Sequence, residues 1–137
     1  MKVFEITNDP AEIETLMKEI VKYCHENDVD DAACFDVQLA LDEMISNTIK
    51  YGYEDQGIHK IQVRVGVQNQ KLLLEIEDDA RAFNPLEAPA PNLSLPAEER
   101  PIGGLGIYLM RAVMDQIDYK RTGTKNILRM TRAVTSS

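Results

Sequence analysis

Residues 60–78, KIQVRVGVQNQKLLLEIED, decide how the chain folds. Ile61, Val63, Val65 and Val67 alternate with Lys60, Gln62, Arg64 and Gly66, the two-residue period of a strand with one buried face. A polar turn around Gln68-Asn69 separates them from Leu72, Leu74 and Ile76, again at every second position, so the stretch predicts a β-hairpin. Asp78 continues the second alternation and therefore points, at the strand's end, to the same side as the core residues.

Working outward, the period switches from two to 3.6. Upstream, residues 2–7 alternate as a short first strand, and Asp9, Pro10 and Glu12 supply a helix N-cap, a preset first turn and a capping-box partner. Ile13, Leu16, Met17, Ile20, Val21 and Cys24 then recur at helical spacing, which predicts a helix over 10–26. After the polar break ENDVDD, a second helix is expected from about Ala33 to Tyr51, with Val37, Leu41, Met44, Ile45 and Thr48 as its apolar stripe. Downstream, residues 80–102 hold five prolines and no period, as in a lid or binding loop. A helix over about 104–115 and a hairpin of DYKRT and NILRMTR, joined across Gly123, complete the chain. The order β-α-α-β-β-loop-α-β-β predicts an α+β two-layer sandwich, with helices on one face of a mostly antiparallel sheet.

The chain has 137 residues, too few for two independent cores, so residues 1–137 are expected to form a single domain. A net charge of -8 argues against general nucleic-acid binding and against an anionic membrane surface. The chain shows no apolar run of the roughly 18 residues a span needs, and MKVFEITNDP does not read as a signal peptide. A cytoplasmic location is expected. Cys24 and Cys34 are too few, and too far from any histidine cluster, for a zinc site, and read as two buried free thiols.

Three features stand apart from simple packing. Glu43 and Asn47 lie one helical turn apart, on a stripe with Asp36 and Ala40 and away from the Leu41, Met44 and Ile45 face. Such a stripe is either a solvated helix face or the border of a cavity. In the second case the Asn47 amide oxygen suits a hard cation such as Mg²⁺, and the Glu43 carboxylate suits orienting or deprotonating a nucleophile. Asp78 either turns to solvent beside Asp79 or is buried and needs donors, since an unpaired carboxylate takes up a proton or costs several kcal/mol. The amino group of a purine is one such donor. Finally, IGGLGIYL (102–109) places three of the chain's seven glycines in four positions at a helix start. That is either a packing turn or a cradle of N–H groups for phosphate oxygens, with Arg100 upstream as a candidate phosphate partner.

Taken in order, EMISN (43–47), EDDARAFNP (77–85), IGGLGI (102–107) and GTKN (123–126) resemble the four ATP-site boxes of the gyrase, histidine-kinase and MutL ATPase superfamily. Within it, the small size, the phrase L-D-E-x-x-x-N-x-x-x-x-G-Y and the AFNP turn resemble the anti-sigma-factor serine/threonine kinases. The resemblance spans nearly the whole chain. It implies a Bergerat-type sandwich with a mixed, mostly antiparallel sheet, ATP and Mg²⁺ as cofactors, and a lid over about 85–102. It implies Glu43 as general base, Asn47 as Mg²⁺ ligand and Asp78 as acceptor for the adenine amino group. Ala80 falls in the adenine box. Gly103, Gly104, Leu105 and Gly106 match the phosphate-contacting glycine box, Arg100 a basic phosphate contact, and Thr124 a hydroxyl near Asp78 and the adenine. The partners it implies are an anti-anti-sigma protein of the STAS type, phosphorylated on serine or threonine, and a sigma factor, with a homodimer as the common state.

One departure stands out. The family's box after the aspartate reads D-x-G, often with a second glycine, where this chain has Ala80 and Ala82. If glycine there makes room for the purine, a methyl group weakens binding, and if positive φ is needed the loop shifts: an alanine forced to positive φ costs on the order of 1 kcal/mol, about fivefold in affinity. The sequence therefore leaves two functions: a kinase, or a nucleotide-dependent module that captures a sigma or anti-anti-sigma factor without phosphorylating it.

Overall fold

The computed structural model of the protein describes residues 1–87 and 104–135. Strand β1 (Lys2–Thr7) leads into helices α1 (Ala11–Glu26) and α2 (Asp31–Tyr51). The opening stretch then forms β2 (Lys60–Gln68) and β3 (Lys71–Asp78). A short 3₁₀ turn covers Pro85–Glu87, helix α3 spans Gly104–Val113, and β4 (Gln116–Thr122) and β5 (Lys125–Ala133) make the last hairpin. The expected lid beyond residue 87, with Arg100 and Gly103, lies outside the described residues.

The sheet order is β1-β2-β3-β5-β4, which makes β3 the central strand. All four pairings are antiparallel, so the mostly antiparallel sheet expected from the pattern has no parallel pair among the described strands. The α3 crossover carries the chain past one strand position to the edge, and β5 returns between β3 and β4 against both. The helices pack on one face, where Ile61, Val63, Val65, Leu72, Leu74 and Ile76 meet Leu16, Ile20, Val37, Leu41 and Ile45. On the other face Glu75 sits between Arg64 (2.9 Å) and Arg129 (2.7 Å), so its buried charge is paired from both neighbouring strands.

Local chemistry moves several boundaries. Helix α2 starts at Asp31 rather than Ala33 because Asp30 is its N-cap, its Oδ2 accepting from Ala33 N at 3.2 Å. The capping box expected at α1 does not form. Asp9 Oδ1 accepts from Ala11 N at 3.0 Å, while Glu12 reaches back to the Thr7 N–H and hydroxyl and ties the helix to the end of β1. The polar stripe of α2 does not face water: Ala40 is fully buried and Asp36 pairs with Arg132 of β5 at 2.9 Å.

The β2–β3 turn falls on Asn69 (φ 53) and Gln70 (φ 61), one residue later than the sequence suggested. Two positive φ values are what a two-residue hairpin with the strands' right-handed twist requires, and asparagine followed by glycine is its preferred sequence. Gln70 carries a left-handed strain of about 1 to 2 kcal/mol, against an entropic loss of up to about 1 kcal/mol for glycine. Gln70→Gly is therefore expected to stabilise the protein by roughly 0.5 kcal/mol. A urea titration should show a higher midpoint at unchanged slope, and a lower midpoint would contradict the strain argument.

Candidate functional site

The last two turns of α2 overhang the ends of β3, β4 and β5, where the sheet offers shorter or polar side chains. A cavity of about 300 Å³ opens there. Met44, Asn47, Thr48 and Tyr51 line it from the helix, and Ile76, Asp78, Tyr119, Asn126 and Leu128 from the sheet. Ala80, Ala82 and Phe83 close the side that leads to the Pro85 turn.

Strand alternation brings the polar group into this largely apolar space. Asp78 is the last residue of β3, faces the helices and is only 6% exposed. Its Oδ1 accepts from Ala80 N at 3.0 Å and from Asn126 Nδ2 at 2.8 Å. No described residue donates to Oδ2. Burial pushes the carboxyl up from its ordinary value, and the hydrogen bonds from Asn126 and Ala80 oppose that rise. The neighbouring Asp79 points the other way, to His59, whose Nδ1 lies 3.1 Å from Asp79 Oδ1 and whose Nε2 lies 2.8 Å from Asp55 Oδ1. The His59 ring stacks on Tyr53 at 4.2 Å. Adjacent carboxylates are thus divided between cavity and surface.

Ala80 and Ala82 carry no strain. The non-glycine residues with positive φ among those described are Asp28, Asn69 and Gln70, so the positive-φ penalty expected for the two alanines does not arise. A Cβ built on Gly52 would lie 2.8 Å from the Ala80 methyl, and Arg81 N donates to Gly52 O at 2.9 Å. Glycine at 52 makes room for the Ala80 methyl and the Thr48 carbonyl.

Asn47 lines the cavity, and Glu43 lies one turn nearer the start of α2. Glu43 does not line it. Its carboxylate rests against Gly106, where an added methyl would overlap it. Burial first, and Asp42 second, push the Glu43 carboxyl up from its ordinary value. Gly104, Leu105 and Gly106 form the first turn of α3, where helix N–H groups have no intrahelical partner. Thr124 is not brought to Asp78. It sits exposed in the β4–β5 turn beside Gly123 (φ 60), because the hairpin turns at those two residues. The residue across from Asp78 in the β3–β5 register is Asn126. The GTKN box pointed to this neighbourhood, but which of its residues faces Asp78 depends on a pairing that joins segments 48 residues apart.

Residues 6–132 match the family described as the histidine kinase-like ATPase domain. The chain belongs to that family. It is 33% identical over 104 residues to the anti-sigma F factor of Clostridium novyi (strain NT), covering 69% of this chain and 68% of that one. It is 27% identical over 97 residues to the serine/threonine-protein kinase BtrW of Bordetella bronchiseptica, covering 71% and 68%. Among solved structures, a Mycobacterium tuberculosis protein with RsbU and RsbW domains superposes with a TM-score of 0.63 at 12% identity. That match covers 98% of this chain and 33% of the other, and it supports the fold.

The His59 clamp gives this ATPase domain a pH signature. Its two aspartate partners raise His59 above the ordinary 6.5, Asp55 first and Asp79 second. The stabilising contribution is full below that ordinary value and is lost as pH rises through the higher folded value. Melting temperature should therefore fall across that window in the wild type, and the fall should be absent in His59→Gln. An equal fall in both proteins would remove His59 as its source.

Proposed function

We propose that the chain is an ATP-dependent serine/threonine kinase of the partner-switching type, which phosphorylates an anti-anti-sigma protein of the STAS class and binds a sigma factor. The observation that carries the nucleotide reading is the free Oδ2 of Asp78, an acceptor with no protein donor among the described residues, turned into a mostly apolar cavity. Membership of the ATPase family implies ATP as the ligand. The cavity volume falls at the lower end of the roughly 300–1,000 Å³ usual for small-molecule sites. Met44, Ile76 and Leu128 offer apolar walls for a base, and Asp78 accepts from its exocyclic amino group.

Among the described residues no three His, Cys, Asp or Glu side chains cluster to hold a metal. Mg²⁺ keeps waters and takes much of its shell from substrate phosphates, so the Asn47 amide oxygen would be the protein's contribution to holding it. The bound nucleotide supplies the phosphoryl group to be transferred. Glu43 orients the incoming hydroxyl and accepts its proton, and the start of α3 at Gly104–Gly106 offers N–H groups to phosphate oxygens. Catalysis then rests on positioning and charge neutralisation. No helix among the described residues is long and apolar enough to cross a membrane.

The second reading, nucleotide-dependent capture of a partner without transfer, is favoured by one observation: Glu43 rests on Gly106 and does not line the cavity. Labelled ATP and a STAS partner separate the two. The kinase reading expects label on the partner, and Glu43→Gln should lower transfer by about 100-fold or more while keeping the thermal shift with Mg-ATP. Unchanged transfer in that variant would rule out Glu43 as the base. Asp78→Ala should lose the nucleotide-dependent shift altogether, and its retention would remove Asp78 from the site.

A further inference from the structure

Asn126 makes more hydrogen bonds than the other side chains bordering the cavity. It lies directly across from Asp78 in the β3–β5 register, faces the helices and is 6% exposed. Its Nδ2 donates to Asp78 Oδ1 at 2.8 Å and to the carbonyls of Ala80 and Arg81, each at 3.0 Å. Its Oδ1 accepts from the Tyr119 hydroxyl at 2.5 Å and from Arg121 Nη1 at 3.0 Å. Arg121 also donates to the Ala80 carbonyl at 2.7 Å.

These partners fix which way the amide points. A guanidinium can only donate, so the Asn126 atom facing Arg121 is the oxygen. The nitrogen must then face a carboxylate and two carbonyls, all acceptors. Turning the amide over would set oxygen against three oxygens and NH₂ against a cation, so a single orientation survives. The result for Asp78 is asymmetric. One carboxylate oxygen is held by two protein donors and the other is left towards the cavity as an acceptor.

We infer that Asn126 is the positioning residue that sets this site's preference for a 6-amino over a 6-oxo purine, by holding Asp78 as an oriented acceptor. The inference rests on the nucleotide reading of the cavity. A 6-amino group donates to the free Oδ2, whereas a 6-oxo group brings a second acceptor against it. Discrimination survives only while Asp78 neither rotates nor takes up a proton, because a protonated carboxyl donates to a 6-oxo group. The Asn126 hydrogen bond is the largest influence opposing the upward push of burial on Asp78, with Ala80 N and Arg121 on the same side and Asp79 against it. Tyr119 and Arg121 act one step further back, by holding the Asn126 amide.

The test compares the affinities of Mg-ATP and Mg-ITP, the inosine nucleotide, for wild type, Asn126→Ala and Tyr119→Phe. Wild type is expected to prefer ATP. Asn126→Ala should lose about tenfold in ATP affinity while ITP binding stays level or tightens, so that the ratio collapses. Tyr119→Phe, which removes a single hydroxyl, should move the ratio the same way by about threefold. Equal losses for both nucleotides in Asn126→Ala would mean a general structural role and overturn the inference, as would an unchanged ratio. Should Asn126→Ala not fold, Tyr119→Phe decides by the same ratio. A wild type that binds neither nucleotide would instead sink the nucleotide reading on which the inference stands.

Discussion

A carboxylate that strand alternation delivers to the core side of a sheet has to be supplied with donors, and much of this molecule's site is arranged to supply them to Asp78. The strand ends there, so the N–H of Ala80, two residues on, folds back onto Oδ1. The opposing strand provides Asn126, which is itself held by Tyr119 and Arg121 from the edge strand. The same amide grips the carbonyls of Ala80 and Arg81 and so shapes the segment that walls the cavity. Three of the five strands thus converge on a single carboxylate, and the supply stops one oxygen short. On the proposed reading, that unfilled acceptor is what turns a packed sheet end into a binding site.

The second constraint is the crossing of α2 and α3. Gly106 lets the start of α3 lie directly on Glu43, and any side chain there would displace the carboxylate. The helix that follows the proline-rich segment is thereby coupled, through one contact, to the residue assigned as general base. A shift of α3 along α2 changes the surroundings of Glu43 without touching Asp78. On the proposed reading, base recognition at Asp78 and proton transfer at Glu43 are separable, because Asp78 lines the cavity and Glu43 lies outside its lining, against Gly106.

Much of this was legible in the sequence, for identifiable reasons. The two-residue alternation of 60–78 reports burial on one face, and it carried Asp78 into the core without any knowledge of its neighbours. Helical periods are likewise local, and element boundaries fell within a few residues of those expected. What failed was not local. The Asn126 network depends on register between strands far apart in the chain, so the GTKN box drew attention to Thr124, which the hairpin turn leaves exposed. The positive-φ strain expected at Ala80 and Ala82 is absent because neither residue takes a positive φ, an angle set by the path of the chain beyond β3 and not by residue type alone. Glu12 read as a cap partner, yet it binds Thr7, because the end of β1 offers it a hydroxyl and an N–H together. Arg100 and Gly103 lie outside the described residues.

The central claim is that the free oxygen of Asp78 receives the exocyclic amino group of a purine while Asn126 holds the other oxygen. A crystal structure with Mg²⁺ and a non-hydrolysable ATP analogue measures this directly. The amino nitrogen is expected about 3 Å from Asp78 Oδ2, with Asn126 Nδ2 still on Oδ1. A base seated away from Asp78, or an Asn126 amide turned from the carboxylate in the complex, would contradict it.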